Sequence, residues 1–258
     1  MPHSSRSNAD VAGHSSRAMM PPTILVTGGS RGIGRAVCVA FGAAGWRVGV
    51  HYREQKWAAE HTAAAINQSG GQAVVCQADI RDPDQARTMI EGRVAQWGRL
   101  DVLVANAGVA SSRLLLRLSP NEWDAVMATN LTGTFHCVKA AGAYMLARRE
   151  GSVLVIGSFA GFQGQPGQSA YAASKAGLLG LVKALAIEWG PHNVRVNAVL
   201  PGRHKTGMTE NARQDGSDLE GHTLGRSPNL EDVAKMIYHL ALLQNVSGQV
   251  WNLDSRIL

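Results

Sequence analysis

The stretch "ILVTGGSRGIGRA" (residues 24–36) decides how this chain folds. Its first four residues are apolar or β-forming, and Gly28, Gly32 and Gly34 follow at the start of a segment with helical character. A glycine turn between a strand and a helix lets a pyrophosphate approach the backbone, where the amides of the helix N-terminus meet its charge. The alternative is a tight turn without a ligand. The position of the glycine turn after an apolar strand and before a helix favours phosphate binding.

Outward from this turn, short apolar runs alternate with longer helical segments. The predicted strands span 23–28, 47–52, 73–78, 100–106, 152–158, 194–200 and 249–253. The predicted helices span 33–44, 55–69, 83–97, 119–148, 170–189 and 230–243. Most strands are apolar on both faces, as in a parallel sheet covered by helices. We therefore predict an α/β fold over residues 23–258: a single doubly wound (Rossmann-type) domain with a seven-stranded parallel sheet flanked by helices.

Composition limits the class of protein. The 258 residues are 45% hydrophobic and 17% charged, which is typical of a soluble globular chain. No apolar run approaches the ~20 residues of a membrane span, so no membrane partner is expected. The net charge of +6 lacks the basic blocks of a nucleic-acid binder; it suits an anionic cofactor or substrate, or an ordinary basic surface. Cys38, Cys76 and Cys137 have no metal-like spacing, which indicates buried, reduced thiols, no metal site and a cytoplasmic location.

Residues 1–22 precede the first predicted strand and contain Ser, His, Arg and Gly without an apolar core. They do not form a secretory signal. We interpret them as a disordered leader, or as the product of an upstream start codon with the true start near Met19 or Met20.

The segment "SAYAASKAG" (169–177) places Tyr171 and Lys175 four residues apart, so both side chains project from one face of a helix. An ammonium beside a phenol favours the phenolate, and together the two groups form an acid–base unit. A free tyrosine titrates near 10, and lowering its pKa by about two to three units would require roughly 3–4 kcal/mol of phenolate stabilisation. The alternative is an ordinary solvated or half-buried helix face.

The end of the second predicted strand indicates which dinucleotide is bound. An acidic residue usually accepts hydrogen bonds from the ribose 2′-hydroxyl of NAD at this place, but here the strand ends in Tyr52 and Arg53. Arg53, together with Arg31 of the glycine turn, could pair with a 2′-phosphate. We therefore expect NADPH (NADP) to be preferred, with NAD possible. The alternative is that Arg53 is a surface residue and both cofactors are accepted.

From about residue 23 onward the sequence resembles the short-chain dehydrogenase/reductases, and most of all their 3-oxoacyl-[acyl-carrier-protein] reductase branch. The motifs occur in the family's order: "TGGSRGIG" (27–34), "ADI" (78–80), "NAG" (106–108), "TNLTG" (129–133), Ser158, "YAASK" (171–175) and "PGRHKTGM" (201–208). Ser158 lies thirteen residues before Tyr171, a spacing that the family shares.

The resemblance implies four catalytic residues. Tyr171 would donate a proton to the carbonyl oxygen, and Lys175 would bind the nicotinamide ribose and stabilise the tyrosinate. Ser158 would orient the carbonyl, unless it merely ends its strand. Asn130 would position a water in a proton relay to Lys175, unless it caps a turn. All four residues stand at matching positions of the family's motifs.

The same resemblance implies the cofactor contacts. Asp79 and Ile80 would contact the adenine, the "NAG" residues would form a floor, and the 201–206 segment would lie along the nicotinamide end. The complete expected set is Thr27, Gly28, Ser30, Arg31, Gly32, Ile33, Gly34, Arg53, Asp79, Ile80, Asn106, Ala107, Gly108, Tyr171, Lys175, Pro201, Gly202 and Thr206.

Three features depart from the family's pattern. Arg203, His204 and Lys205 replace apolar residues, and we interpret His204 as a neutral, solvated loop residue. "DSRI" (254–257) stands where relatives have a glycine pair after the Asp. Basic residues near the cleft mouth would grip an acyl carrier protein; Arg149 matches one such position, but the other is His192.

The leading hypothesis is an NADPH-dependent reductase of a 3-oxoacyl thioester, carried by acyl carrier protein or CoA. The alternatives are an NAD(P)-dependent dehydrogenase of another secondary alcohol (a sugar, a steroid or a small alcohol) and an inactive dinucleotide-binding protein. The resemblance implies a homotetramer. Phe135, Leu181 and Trp189 could form a helical dimer face, or could be buried against the sheet.

Overall fold

The computed structural model describes residues 20–202, 204 and 221–257. Within these residues seven strands form one parallel sheet in the order β3-β2-β1-β4-β5-β6-β7. The strands are β1 Thr23–Val26, β2 Arg47–Tyr52, β3 Gln72–Gln77, β4 Val102–Ala105, β5 Gly151–Ile156, β6 Val194–Leu200 and β7 Val250–Asn252. The predicted doubly wound sheet is confirmed, and its strand order reverses between β1 and β4, where ligands bind in such sheets.

Seven α-helices cover the two faces of the sheet within the described residues. They are α1 Gly32–Ala43, α2 Lys56–Gln68, α3 Pro83–Trp97, α4 Pro120–Met127, α5 Gly133–Arg148, α6 Ser169–Trp189 and α7 Leu230–Leu242. One core packs α3, α5 and α6 on one face, and a second core packs α1, α2 and α7 on the other. In β5, Val153 and Val155 point into the first core while Leu154 and Ile156 point into the second. Burial on both faces explains the continuous apolar runs.

The predicted helix over 119–148 is interrupted. A π-helical turn at Ala128–Thr132 separates α4 from α5. Such turns insert an extra residue into a helix and often occur at functional sites, and this one contains Asn130. Directly after it, Gly133 lets the helix approach Ile80, because a Cβ atom there would lie 2.8 Å from the Ile80 side chain.

Helix α6 and its continuation to His192 are long and apolar enough, by length and composition alone, to span a membrane. The expectation that no run approaches this length was therefore wrong. However, α6 packs on β6 and contributes to the core between α5 and the sheet. Trp189 is buried, and a Cβ atom at Gly142 of α5 would lie 2.5 Å from its ring. Trp189 therefore packs within the chain and does not contribute to a dimer face. We interpret α6 as a core helix.

A buried carboxylate ties the amino ends of the central strands together. Asp101, just before β4, accepts hydrogen bonds from the Thr23 amide (2.8 Å) and the Thr23 hydroxyl (3.1 Å). The guanidinium groups of Arg99 and Arg148 also bind it. Burial opposes its ionisation, but the hydrogen bonds from Arg99 and Thr23 and the charge of Arg148 outweigh burial and hold the pKa of Asp101 below its ordinary value.

We expect Asp101→Asn to lower the free energy of unfolding by about 2–3 kcal/mol, because buried hydrogen bonds to a charged group are lost. Since the pKa of Asp101 is depressed in the fold, its contribution is complete above the ordinary carboxyl pKa near 3.9 and is lost as the pH falls towards the lower folded value. Denaturant unfolding from pH 3 to 7 measures both effects. Glu60→Gln, which removes an exposed ion pair with Lys56 on α2, should change neither.

Candidate active site

The glycine turn after β1 is closed by a contact that only glycine permits. A Cβ atom at Gly34 would lie 2.2 Å from the Gly28 carbonyl oxygen, and Gly28 has a φ of +64°. The Asn106 side-chain amide donates to the carbonyls of Thr27 (2.9 Å) and Gly28 (3.1 Å). The turn therefore presents bare backbone at the N-terminus of α1, where an anion is stabilised.

Thr27 joins β1 to the segment after β4. Its hydroxyl accepts hydrogen bonds from the amides of Asn106 (2.9 Å) and Ala107 (3.0 Å). Gly108 follows, and a Cβ atom there would lie 3.1 Å from the Asn130 side-chain oxygen. The structure thus brings the "NAG" segment against the glycine turn, as expected for the floor of one site.

His51 is a buried member of this site that the sequence analysis missed. Its Nδ1 accepts a hydrogen bond from the Gly28 amide (2.9 Å), and its Nε2 donates to the Ala78 carbonyl (3.0 Å). Burial lowers the pKa of His51, so the ring is neutral with its proton on Nε2. One imidazole therefore links the glycine turn to the segment that leads into Asp79. The sequence signal was a histidine at the end of an otherwise apolar strand beside that turn.

The residues predicted to contact the adenosine lie after β2 and β3. Arg81 donates from Nε to both Asp79 carboxylate oxygens at 2.9 Å, and this hydrogen bonding holds the pKa of Asp79 below its usual value. Ile80 is buried. Arg53 lies 2.6 Å from Glu54, so that carboxylate competes for the guanidinium.

Three further predicted contacts lie in the glycine turn at the same edge of the sheet. Arg31 is exposed just before α1, the Ser30 carbonyl accepts from Thr62 of α2 (3.2 Å), and Ile33 packs against the core.

The structure brings Ser158, Tyr171 and Lys175 together beyond the carboxyl end of β5. The Ser158 side chain lies near the Tyr171 phenol and lowers its pKa. The Lys175 Nζ lies 5.7 Å from the centroid of the Tyr171 ring and donates to the Ile156 carbonyl oxygen at 2.7 Å. In the part of the chain that the structure describes, this carbonyl is the only hydrogen-bond partner of the ammonium. The other two donors remain available to a ribose.

Burial shifts both catalytic pKa values. It raises the pKa of Tyr171, although the Ser158 hydrogen bond acts in the opposite direction, and it lowers the pKa of Lys175 to about 8. Within the polypeptide, desolvation disfavours the phenolate more than the groups around it favour it. The expected lowering also includes the positive charge of an oxidised nicotinamide beside the phenol, and it stays a prediction.

Ser158 is positioned by a close contact between two backbones. Its hydroxyl accepts from the Ala160 amide (3.2 Å) and caps a 3-10 turn at Phe159–Gly161. A Cβ atom at Gly161 would lie 3.0 Å from the Ala176 amide nitrogen and the Lys175 carbonyl carbon. Glycine at this position therefore allows the serine turn to rest directly on α6, and sequence reasoning did not identify it.

Asn130 is fully buried, and the hydrogen bonds that the structure describes for its side chain go to residues other than Lys175. Its Oδ1 accepts from the Val109 amide (2.8 Å), and its Nδ2 donates to the Val109 carbonyl (2.9 Å) and the Ser174 hydroxyl (3.1 Å). Ser174 in turn donates to the Tyr171 carbonyl (2.7 Å). The side chain thus fixes the segment after "NAG" to α6, and a relay water bound to Asn130 stays a prediction.

The nicotinamide-end segment departs from expectation at His204. Pro201 and His204 are buried, and His204 Nε2 contacts the Pro201 carbonyl oxygen at 2.8 Å, so this histidine is not solvated. Burial lowers its pKa, in agreement with the expected neutral form. Gly202 has a φ of +81°. Thr206, Arg203 and Lys205 lie outside the described residues.

Arg149 and His192 do not border the cleft of their own chain. The Arg149 guanidinium donates to the Pro191 carbonyl (2.8 Å) and lies 3.4 Å from His192 Nδ1. Both residues precede their strands, β5 and β6, whereas Ser158 follows β5. The six residues of β5 separate the two edges of the sheet by about 20 Å. The expected position at the cleft mouth is therefore wrong within one chain, because α5 ends at the opposite edge.

The residues fit a dinucleotide. A bare glycine turn at a helix N-terminus suits a pyrophosphate, and a buried ammonium with unused donors beside a tyrosine suits a ribose and a reacting carbonyl oxygen. Fold and site together define the class: an oxidoreductase with a doubly wound dinucleotide-binding domain.

Comparison with known proteins gives the family. A profile of the family "short chain dehydrogenase" matches residues 22–217. The 3-oxoacyl-[acyl-carrier-protein] reductase of Synechocystis sp. is 40% identical over 240 residues, covering 92% of this chain and 97% of that protein. The chain belongs to the short-chain dehydrogenases and is an NAD(P)-dependent oxidoreductase acting on CH–OH or ketone groups.

Two solved structures have the same fold. A dehydrogenase/reductase from Sinorhizobium meliloti 1021 has a TM-score of 0.84 at 33% identity, covering 90% of this chain and 92% of its own. Levodione reductase has a TM-score of 0.85 at 25% identity, covering 91% and 96%.

We expect Lys175→Met to abolish turnover and to stabilise the fold. Burial lowers the pKa of Lys175 from 10.5 to about 8, which corresponds to a destabilisation of the fold by roughly 3 kcal/mol when the ammonium is charged. An apolar side chain removes this destabilisation. Because the unfolded chain binds more protons between pH 8 and 10.5, the free energy of unfolding of the wild type should rise over this range. That of the variant should not.

Thermal and denaturant unfolding at several pH values measure these quantities. Lys183→Met, at an exposed position on the same helix, should change neither stability nor turnover by a comparable amount. A variant less stable than the wild type would contradict the assigned cost of burying Lys175.

Proposed function

We propose that this protein reduces a 3-oxoacyl thioester, carried by acyl carrier protein or CoA, to the 3-hydroxyacyl form with NADPH. The single observation that carries the proposal is the serine–tyrosine–lysine group at the carboxyl edge, where the Lys175 ammonium is anchored on the Ile156 carbonyl beside the Tyr171 ring. The similarity to a 3-oxoacyl-[acyl-carrier-protein] reductase over 92% of the chain supports this substrate class.

The chain's own residues would act on the carbonyl. Ser158 donates a hydrogen bond that orients the ketone oxygen, and Tyr171 gives that oxygen its proton. Lys175 holds the nicotinamide ribose and, as a cation, favours the tyrosinate that remains. The bound nicotinamide supplies the hydride, and its oxidised form carries positive charge. Because burial alone raises the pKa of Tyr171, charge beside the phenol is what makes proton transfer possible near neutral pH.

Exposed apolar side chains around the cleft favour an acyl chain over a sugar. Leu114, Leu115 and Leu116 are exposed in the segment between β4 and α4, Phe162 is exposed after the serine turn, and Leu224 is exposed before α7. The Arg113 amide donates to the Gly167 carbonyl (2.9 Å), which joins the start of the leucine segment to the turn before α6. Exposed apolar side chains near a site can contact an apolar ligand.

A second candidate is an NAD(P)-dependent dehydrogenase of another secondary alcohol. The likeness to levodione reductase in fold, at 25% identity, supports this alternative. An inactive dinucleotide-binding protein is the third candidate. The assembled catalytic group, with Lys175 kept buried at a cost in stability, favours an enzyme over it.

We also propose a cytoplasmic homotetramer. Phe135 on α5 and Ile187 on α6 are exposed apolar side chains on helices that otherwise pack on the sheet, and they could meet a second copy. The three cysteines are buried and unpaired, which suits a reducing compartment.

A substrate panel tests the reaction. With NADPH, acetoacetyl-CoA or an acetoacetyl carrier thioester should be turned over faster than free ketones, sugars or steroids. Tyr171→Phe should lower kcat by about 100- to 10,000-fold and leave dinucleotide affinity within about twofold, because only the proton donor is removed. Tyr144→Phe, on α5 away from the site, is the matched control. Inertness towards every acyl thioester would reject the proposed substrate.

The cofactor preference is tested at Arg53. Arg53→Ala should raise the KM for NADPH by roughly 10- to 100-fold with little change for NADH, because a charge-assisted hydrogen bond to the 2′-phosphate is lost. Glu54→Gln should shift the preference further towards NADPH, since it frees the guanidinium that Glu54 now binds. Arg47→Ala, at the amino end of the same strand, serves as control. An unchanged NADPH-to-NADH ratio in Arg53→Ala would show that Arg53 does not bind the 2′-phosphate.

A further inference from the structure

The C-terminal segment "DSR" (254–256), which departs from the family's glycine pair, packs against the active site. We call Asp254, Ser255 and Arg256 the tail clamp. The Asp254 side chain is fully buried, and that of Arg256 is 14% exposed. The Arg256 guanidinium binds the Asp254 carboxylate through Nε (2.9 Å) and Nη2 (2.5 Å), and the Arg256 amide donates to the other oxygen (2.8 Å).

The tail clamp touches the serine turn through an aromatic ring. The Arg256 Cζ lies 4.2 Å from the centroid of the Phe159 ring, which is within the range of a cation–π contact. Phe159 is buried, directly follows Ser158 and opens the turn that Ser158 caps. The ion pair with Asp254 fixes the guanidinium plane over the ring.

The tail clamp also supports the nicotinamide-end segment. Gly202 has no side chain, and a Cβ atom there would lie 2.7 Å from the Asp254 Cβ and 2.6 Å from the Pro228 ring. Asp254 therefore packs directly on the backbone after Pro201. One ion pair thus supports both Ser158 and Gly202, which lie on the two sides of the reacting end of the site.

A third contact reaches the segment before α7. The Thr223 amide (3.2 Å) and hydroxyl (2.8 Å) donate to the Ser255 carbonyl, and the Leu224 amide donates to the Ser255 hydroxyl (3.3 Å). His222 forms an antiparallel bridge with Arg256. The exposed apolar side chain of Leu224 is held beside the site in this way.

We propose that Arg256 is a positioning residue that holds the Ser158 turn, the Gly202 segment and residues 222–224 in one arrangement for catalysis. This role rests on the proposed function at one point, which is the assignment of Ser158 as the residue that orients the substrate. Arg256 acts through Phe159 and Asp254 and does not itself touch the reacting atoms. A glycine in place of Arg256 could not make the contacts with Asp254 and Phe159, so the link from the tail to the serine turn depends on the Arg256 side chain.

The test compares Arg256→Leu, Arg256→Lys and a control, Arg87→Leu, which removes an exposed guanidinium paired with Asp84 on α3. Arg256→Leu should lower kcat/KM for the ketone by about tenfold, mainly in kcat, because a cation–π contact and an ion pair are lost. The KM for the dinucleotide should change by less than about twofold. Arg256→Lys keeps the charge and should recover part of kcat, whereas Arg87→Leu should match the wild type.

Hydrogen–deuterium exchange gives a readout without activity. Arg256→Leu should speed amide exchange in residues 158–162 and 221–225 and leave the glycine turn unchanged. If no substrate is turned over by the wild type but exchange responds as stated, the proposed reaction fails and the tail clamp stands. Unchanged kcat/KM in folded Arg256→Leu, or unchanged exchange in these two segments, would overturn the positioning role.

Discussion

The buried ammonium of Lys175 against the Ile156 carbonyl is the contact on which the active site depends. An ammonium inside the protein loses its hydration and needs an acceptor, and the end of β5 supplies one at 2.7 Å. Ile156 lies two residues before Ser158, so this contact joins α6 to the strand that carries the serine. Tyr171 lies one helical turn before the lysine and therefore meets Ser158. The low pKa of about 8 for Lys175 shows that stability is given up for this arrangement.

Close approach of backbones builds the rest of the site. Gly34 rests on the Gly28 carbonyl and Gly161 on the backbone of α6. In each case a side chain would separate two segments that must touch. These two turns at the carboxyl edge are thus placed by contacts between main chains. This is why groups from β1, β4, β5 and α6 converge within one cleft.

Polar side chains lock these turns in a different way on each side. On the dinucleotide side, His51 and Thr27 are buried within the sheet edge and bind main-chain groups of neighbouring turns. On the substrate side, the Asp254–Arg256 pair reaches the serine turn from the end of the chain. The frame around the dinucleotide is therefore built into the sheet, whereas the substrate side depends on loops and on the tail. Variation in substrate is easier to accommodate in such segments.

The sequence by itself determined the parallel sheet and the order of strands and helices along the chain, because these depend on local pattern. The serine–tyrosine–lysine candidates came from the resemblance to a known family. Only the tertiary structure decided where side chains separated by long stretches of chain meet. The sequence carries no periodic signal for three such contacts: His51 with Gly28, Trp189 with Gly142, and Arg256 with Phe159. The raised pKa of Tyr171 was also beyond sequence reasoning, since the spacing to Lys175 does not show how deeply the phenol is buried.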